Sequence, residues 1–274
     1  MTFGDIVRVR AITALCLLAM LCMPLIEAYE PTKIGFTDQR QDPGMVFQLD
    51  LPTGNLEKVY VRSSGLISSA DFILGRLFFS NANDNKIWKT SLNAPRGVEA
   101  LVYTHSTYVR DIDAVPTGNG SFRVYFSEAS GAGGDGRIYY LDGTRALPLT
   151  TVRLSDVDGS WAGNFVFDDR GRIYLSSGNT RPASIYLLEI SGRIGASGFT
   201  APGKSKIKKI YTDDGPIMGM LFVPPDSIYY ADFGSKIYRL DLGTLSKKTV
   251  FEYRSPNAGG SWLSDLTDLS QTAP

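Results

Sequence analysis

Residues 227–242 read Ser-Ile-Tyr-Tyr-Ala-Asp-Phe-Gly-Ser-Lys-Ile-Tyr-Arg-Leu-Asp-Leu, two short runs of aromatic and β-branched residues joined by a polar turn. That is the pattern of a β-hairpin. The same pattern returns at Leu77 to Thr90, Val124 to Asp142, Ile173 to Glu189 and Ile34 to Asp50. Aligned on their first strands, the hairpins place Phe36, Phe79, Phe126, Leu175 and Tyr230 in one column, at intervals of 43 to 55 residues. The second strands supply another column, Val46, Ile87, Ile138, Ile185 and Ile237, each followed by an aromatic residue. A strand-built repeat of this period cannot bury its apolar faces unit by unit, so neighbouring units must stack on one another.

Each hairpin is followed by a third strand pattern and preceded by an inner one: Ser69 to Leu74, Asp111 to Val115, Ala162 to Phe167 and Met218 to Val223. The first hairpin has no room for an inner strand ahead of it. Trp262 to Leu269 supplies one from the other end of the chain. The expected fold is therefore all-β, a five-bladed β-propeller whose C-terminal strand completes the first blade and closes the ring. A sixth blade is allowed only if the long fourth unit, with its Gly- and Ser-rich stretch 192–205, hides two.

Residues 1–28 are set apart from this repeat. Arg8 and Arg10 precede an apolar run from Ala11 to Ile26, about 16 residues where a membrane span needs roughly 20, and Ala28 is a suitable small residue before a cleavage point. We expect a signal peptide over 1–28 and one propeller domain over 29–274, secreted or lumenal, or periplasmic in a bacterium, with no membrane partner after cleavage. Both cysteines, Cys16 and Cys22, fall inside the segment, so the remainder has neither a disulfide nor a cysteine metal site. Asn119-Gly-Ser is a glycosylation acceptor sequence. Lys plus Arg number 28 and Asp plus Glu 28, which leaves no basic excess to hold a phosphate backbone. Nucleic acid is not an expected partner, and the chain is expected to be a monomer.

The stretch Ile228 to Leu242 is similar to the YWTD repeat of LDL-receptor-type propellers, and Asn164-Phe-Val-Phe-Asp-Asp-Arg-Gly-Arg-Ile-Tyr-Leu resembles a repeat of the gluconolactonase, senescence-marker and strictosidine synthase-like group. The latter resemblance implies a divalent cation on the propeller axis and hydrolysis of a lactone or ester there. Asn164 matches the asparagine of that pattern, and Asp113 and Asp265 fall at corresponding places in other inner strands. In the second and last units the place falls on Ala70, or nearby Asp71, and on Met220.

The residues themselves allow two readings of Asp113, Asn164 and Asp265. Inner strands line one channel, so these oxygens converge as ligands for calcium, magnesium or manganese, or else they hydrogen-bond neighbouring backbone. His105, the one histidine, lies with Tyr108, Arg110 and Asp111 in a connection that opens on the channel face, where an acid–base pair and an anion anchor are expected. Trp161 and Trp262 precede their inner strands in equivalent places and form an aromatic lip, with Met218 and Met220 as an apolar wall. Gly131-Ala-Gly-Gly-Asp-Gly has the dinucleotide-binding spacing but joins two strands instead of opening a helix, so neither a nucleotide nor a haem cofactor is expected. Three functions follow: a gluconolactonase-like hydrolase acting on a small molecule in the channel, a cofactor-free isomerase or cyclase using the same cavity, or a non-catalytic propeller that binds a glycan or a protein.

Overall fold

The computed structural model describes residues 29–270, except 40–41, 82–83, 93, 97, 119–120, 129–134, 159–160, 162, 179, 191–204, 233 and 255–262. Twenty strands form five four-stranded antiparallel sheets arranged as a β-propeller. From the axis outward, blade one is β20 (Leu263–Asp268), β1 (Lys33–Asp38), β2 (Met45–Asp50) and β3 (Leu56–Val61). Blade two is β4 (Ser69–Ile73), β5 (Arg76–Asn81), β6 (Lys86–Ser91) and β7 (Ala100–Thr104). Blade three is β8 (Val109–Gly118), β9 (Ser121–Glu128), β10 (Gly136–Asp142) and β11 (Arg145–Val152). Blade four is β12 (Phe165–Phe167), β13 (Ile173–Ser176), β14 (Ala183–Ile190) and β15 (Ser205–Asp213). Blade five is β16 (Met218–Val223), β17 (Ser227–Ala231), β18 (Lys236–Asp241) and β19 (Lys247–Glu252). The one helical element among the described residues is a 3-10 turn at Leu154–Asp156, and no helix is long enough to cross a membrane.

The ring closes as the sequence requires. β20 pairs with β1, Ile34 facing Asp268 and Thr37 facing Asp265. The fourth inner strand is shorter than its sequence pattern, starting at Phe165, because Gly163 turns to φ +97° just ahead of it.

Five apolar clusters hold the propeller, one in each junction between blades. Phe36, Tyr253 and Leu266 meet between blades five and one, and Ile67, Phe72 and Phe79 between one and two. Ile112, Phe126 and Phe78 fill the next junction, followed by Trp161, Phe165 and Tyr186, then Met220, Phe222 and Tyr230. Because each sheet is covered on both faces, side chains from both phases of the strand alternation are apolar. In every blade the outer strand bulges opposite the two consecutive residues of the second column, at Val59, Val102, Leu149, Ile210 and Val250.

The two ends of the propeller differ. Loops between second and third strands, and the connections from blade to blade, surround a mouth face. Turns joining first to second and third to fourth strands form the opposite, turn face. Chain entry and exit meet on the turn face, where the Thr32 and Lys33 amides donate to Ser270 Oγ.

Candidate functional site

On the three inner strands β20, β4 and β8, every second side chain is polar and points at the following blade. Asp265 Oδ2 accepts from the Ala70 amide at 2.8 Å, and Thr267 Oγ1 accepts from Phe72 at 3.0 Å. Ser69 Oγ accepts from Ile112 at 2.9 Å, and Asp71 Oδ2 from Ala114 at 2.6 Å. Asp111 Oδ2 accepts from Phe165 and Asp113 Oδ2 from Phe167, each at 2.8 Å. Six side chains thus serve amides on the channel edge of the next strand, which have no ladder partner there. The pattern ends at blade four. Its corresponding residues are Asn164 and Val166, and those of blade five are Met218 and Leu221, so the axis is polar around three blades and largely apolar around two.

Ser69 joins two of the aspartates. Its Oγ lies 2.5 Å from Asp265 Oδ2 and 2.9 Å from Asp111 Oδ1, while also accepting from Ile112. One hydroxyl carries one proton, so it donates to one of these carboxyl groups only. The other contact needs a protonated carboxyl donating to Ser69. Burial acts in the same direction: it pushes Asp111 up to about 7 and Asp265 well above the usual carboxylate range, with Asp71 at about 6 and Asp113 also raised.

The residues expected to hold a cation are brought to this axis, and several of their oxygens accept from neighbouring groups. Asp265 uses Oδ1 for the Leu266 amide and Oδ2 for Ala70 and Ser69, and Asp113 uses Oδ2 for Phe167. Asn164 turns its amide nitrogen to Ser176 Oγ at 3.3 Å and Met218 Sδ at 3.6 Å. Among the described residues no group of three or more His, Cys, Asp or Glu side chains is arranged to hold a divalent cation.

His105, Arg110 and Asp111 occupy three different settings. His105 Nε2 is 2.9 Å from Glu128 Oε2, and Glu128 also accepts from Thr107 and Tyr139. Burial raises the Glu128 carboxyl, but the bonds from Thr107, His105 and Tyr139 hold it below its ordinary value. Phe126, Tyr139 and Tyr103 surround the imidazole, and its buried Nδ1 has no partner among the described residues. Enclosed in this way, His105 braces blade two against blade three through Glu128. Arg110 is the extra residue of a bulge between Val109 and Asp111, and the bulge turns it outward. Its guanidinium carbon sits 4.3 Å from the centre of the Tyr108 ring, on the mouth face.

Trp161 is not part of a lip. It is 7 % exposed, donates from Nε1 to the Asn164 carbonyl, and covers Gly136, where any Cβ would strike its ring. Trp262 and Asn119 lie outside the described residues, as does the 1–28 segment. Met218 reaches Asn164. Met218 pairs with Ala231, so the place expected for Met220 belongs to Met218; Gly219 is the extra residue of a bulge, and Met220, which pairs with Tyr230, packs into the junction with blade four.

The axial place in blade two belongs to Ser69, one residue from Ala70, on which the inner-strand alignment puts it. A signal existed one place after the first hairpin column: Thr37, Ser80, Ser127, Ser176 and Ala231 are all small. Ser127 and Ser176 donate across the junctions to the Gly163 and Ile217 carbonyls.

No family model and no curated protein matches this sequence. Solved structures do. A crystal structure of a nidogen–laminin complex contains a chain similar at 15% identity and TM-score 0.53, with 88% of this chain and 82% of that one covered. A luciferin-regenerating enzyme aligns at 13% identity and TM-score 0.49 over 83% and 74% of the two chains. A virginiamycin B lyase from Staphylococcus aureus aligns at 17% and 0.42 over 84% and 78%. At these identities the likeness is one of fold alone: the chain is a five-bladed β-propeller, similar in fold to a chain of the nidogen–laminin complex.

Proposed function

We propose that this protein is a secreted or lumenal binding propeller that recognises a glycan or a protein epitope through the loops around its mouth. The observation that carries this reading is the engagement of the axial side chains: their oxygens serve the amides of the next blade, so little donor capacity is left for a reacting group. Tyr108 and Arg110 supply what a rim contact needs, a flat aromatic face and a guanidinium already stacked in place. Arg110 forms no salt bridge among the described residues.

A second reading is the cofactor-free isomerase or cyclase. It draws support from Asp111, whose carboxyl is pushed up to about 7 by burial and so sits where a general acid or base works at neutral pH. One experiment separates the two. The protein is assayed on lactone, ester and isomerisable substrate panels with Ca2+, Mg2+ or Mn2+ supplied, and in parallel on arrayed glycans and extracellular proteins. The binding reading expects no turnover, and binding that Tyr108→Ala with Arg110→Ala abolishes. Turnover lost in Asp111→Asn would favour the enzyme, and turnover that needs the added cation would reinstate a metal site.

A further inference from the structure

The residue just ahead of the first axial side chain can be compared in all five blades. It is Ser264 in blade one, Ser68 in blade two, Arg110 in blade three, Gly163 in blade four and Ile217 in blade five. Four of these are buried, and Arg110 is exposed. Elsewhere the occupant of this place is small or apolar and helps to close a junction: Ser264 Oγ lies 2.5 Å from Thr37 Oγ1, and the Gly163 and Ile217 carbonyls accept from Ser127 and Ser176. An arginine lifted out of that place by a bulge serves the mouth face and not the packing.

Arg110 is also seated along its length. Its Cβ and Cγ lie over Gly163, where a Cβ would fall 2.5 Å from the one and 2.9 Å from the other. Gly163 holds φ +97°, which residues with a side chain rarely adopt, and Ser127 Oγ fixes its carbonyl at 2.6 Å. At the far end the guanidinium carbon sits 4.3 Å from the centre of the Tyr108 ring. No N–H of this guanidinium has an acceptor among the described residues. Every Asp and Glu after residue 28 is a described residue, yet none forms a salt bridge with it. Ordering a long side chain costs rotamer entropy. A cation held at both ends and given no counter-ion is therefore prepared for an anion that comes from outside.

We propose that Arg110 binds the acid group of a sugar, a carboxylate or a sulfate, at the mouth of the axis. This rests on the rim reading and names the ligand there as an acidic oligosaccharide. Residues 106–110 read Ser-Thr-Tyr-Val-Arg, with Ser106 and Thr107 exposed beside the Tyr108 ring and the planar fork of Arg110. Hydroxyls, one ring and a guanidinium suit a ring of hydroxyls that carries one acid, which the fork meets through two parallel bonds. A protein epitope brings an apolar centre, and Val109, the aliphatic residue of this stretch, is fully buried. Arg153, Arg181 and Arg254, in other connections and loops of the same face, form no salt bridge among the described residues either. An oligosaccharide with an acid on each sugar thus meets further cations beyond the first.

Oligogalacturonate, its methyl ester, a sulfated oligosaccharide of similar length and an acidic peptide are each titrated calorimetrically into the full chain at low and at high salt. One or both acid oligosaccharides should bind, more weakly at high salt, and the ester should not. The tighter of the two identifies the acid. Arg110→Gln should lower that affinity about tenfold or more while the melting temperature holds, because the side chain is exposed. Arg110→Lys keeps the charge and loses the fork, so its affinity should fall between. Equal binding of acid and ester overturns the proposal, as does no binding of either acid oligosaccharide, or acid binding that Arg110→Gln leaves unchanged. A peptide that binds more tightly than both also overturns it and makes the partner an acidic protein. Neutral glycans or proteins bound through Tyr108 and Arg110 would leave the rim reading standing while this assignment fails; a mouth that binds nothing takes both with it.

Discussion

Ser69 and Ser80 face each other across β4 and β5, and removing their hydroxyls should have opposite effects. Ser69→Ala deletes an acceptor for the Ile112 amide, the donor to one axial carboxyl and the acceptor for the other. Ile112 keeps a longer bond to Asp111 Oδ1 at 3.1 Å, and Asp265 keeps Ala70 and Leu266. The loss therefore amounts to one charge-assisted bond and one weakened amide bond, about 3 kcal/mol, or roughly 6–12 °C in melting temperature for a domain of this size. The cost should be larger at pH 8 than at pH 5, because the missing donor matters most when a carboxyl is ionised. Ser80 Oγ is fully buried with no partner among the described residues, so Ser80→Ala discards only a desolvation penalty and should be neutral or stabilise by about 1 kcal/mol. Urea denaturation of the two variants at pH 5 and 8 measures all four values. Equal effects of the two substitutions, or a Ser69→Ala cost that shrinks with rising pH, would refute the shared-proton account.

Wild-type stability should fall as pH rises from 5 to 8. Asp71, Asp111, Asp113 and Asp265 bind protons more tightly folded than unfolded, so their contribution is full below about pH 4 and is lost through the raised folded values; a denaturation midpoint rising across that window would contradict it. Gly219→Ala should prevent stable closure, since a Cβ there falls 2.3 Å from Asp265 Cα and 2.5 Å from the Ser264 carbonyl; a cooperative melt near wild type would show that the strands can part. Trp161→Ala should cost about 3–5 kcal/mol through the cavity left over Gly136, read as a lowered urea midpoint, and a cost below about 1 kcal/mol would return that ring to the rim.

The fold was legible because stacking repeats leaves a periodic trace. Two columns of apolar residues located β1, β5, β9, β13 and β17 with their partners, and the lack of room before Ile34 located β20 at the far end of the chain. The axis was half legible. Alternation put Asp111, Asp113 and Asp265 on it, but nothing in a pattern of residue types says whether a carboxylate meets a cation or the amide of the next strand. Phase and bulges hid the rest: one extra residue turned Arg110 outward, another, Gly219, separates Met218 from Met220, and Met218 pairs at the place expected for Met220. The setting of His105 was hidden for another reason, since its partner Glu128 comes from the end of β9, outside the connection that carries the histidine.

The pairing of β20 with β1 joins Ile34 to Asp268, nearly the full length of the chain apart. During synthesis from the N-terminus, β1, β2 and β3 emerge first and wait with an unpaired inner edge and an uncovered apolar face while four more blades are made. Contacts so distant in sequence also carry the largest loop-closure cost and form slowly. Blade one is thus the first to be translated and the last to be completed, and the interval between those events is when this chain is most open to aggregation or to proteolysis.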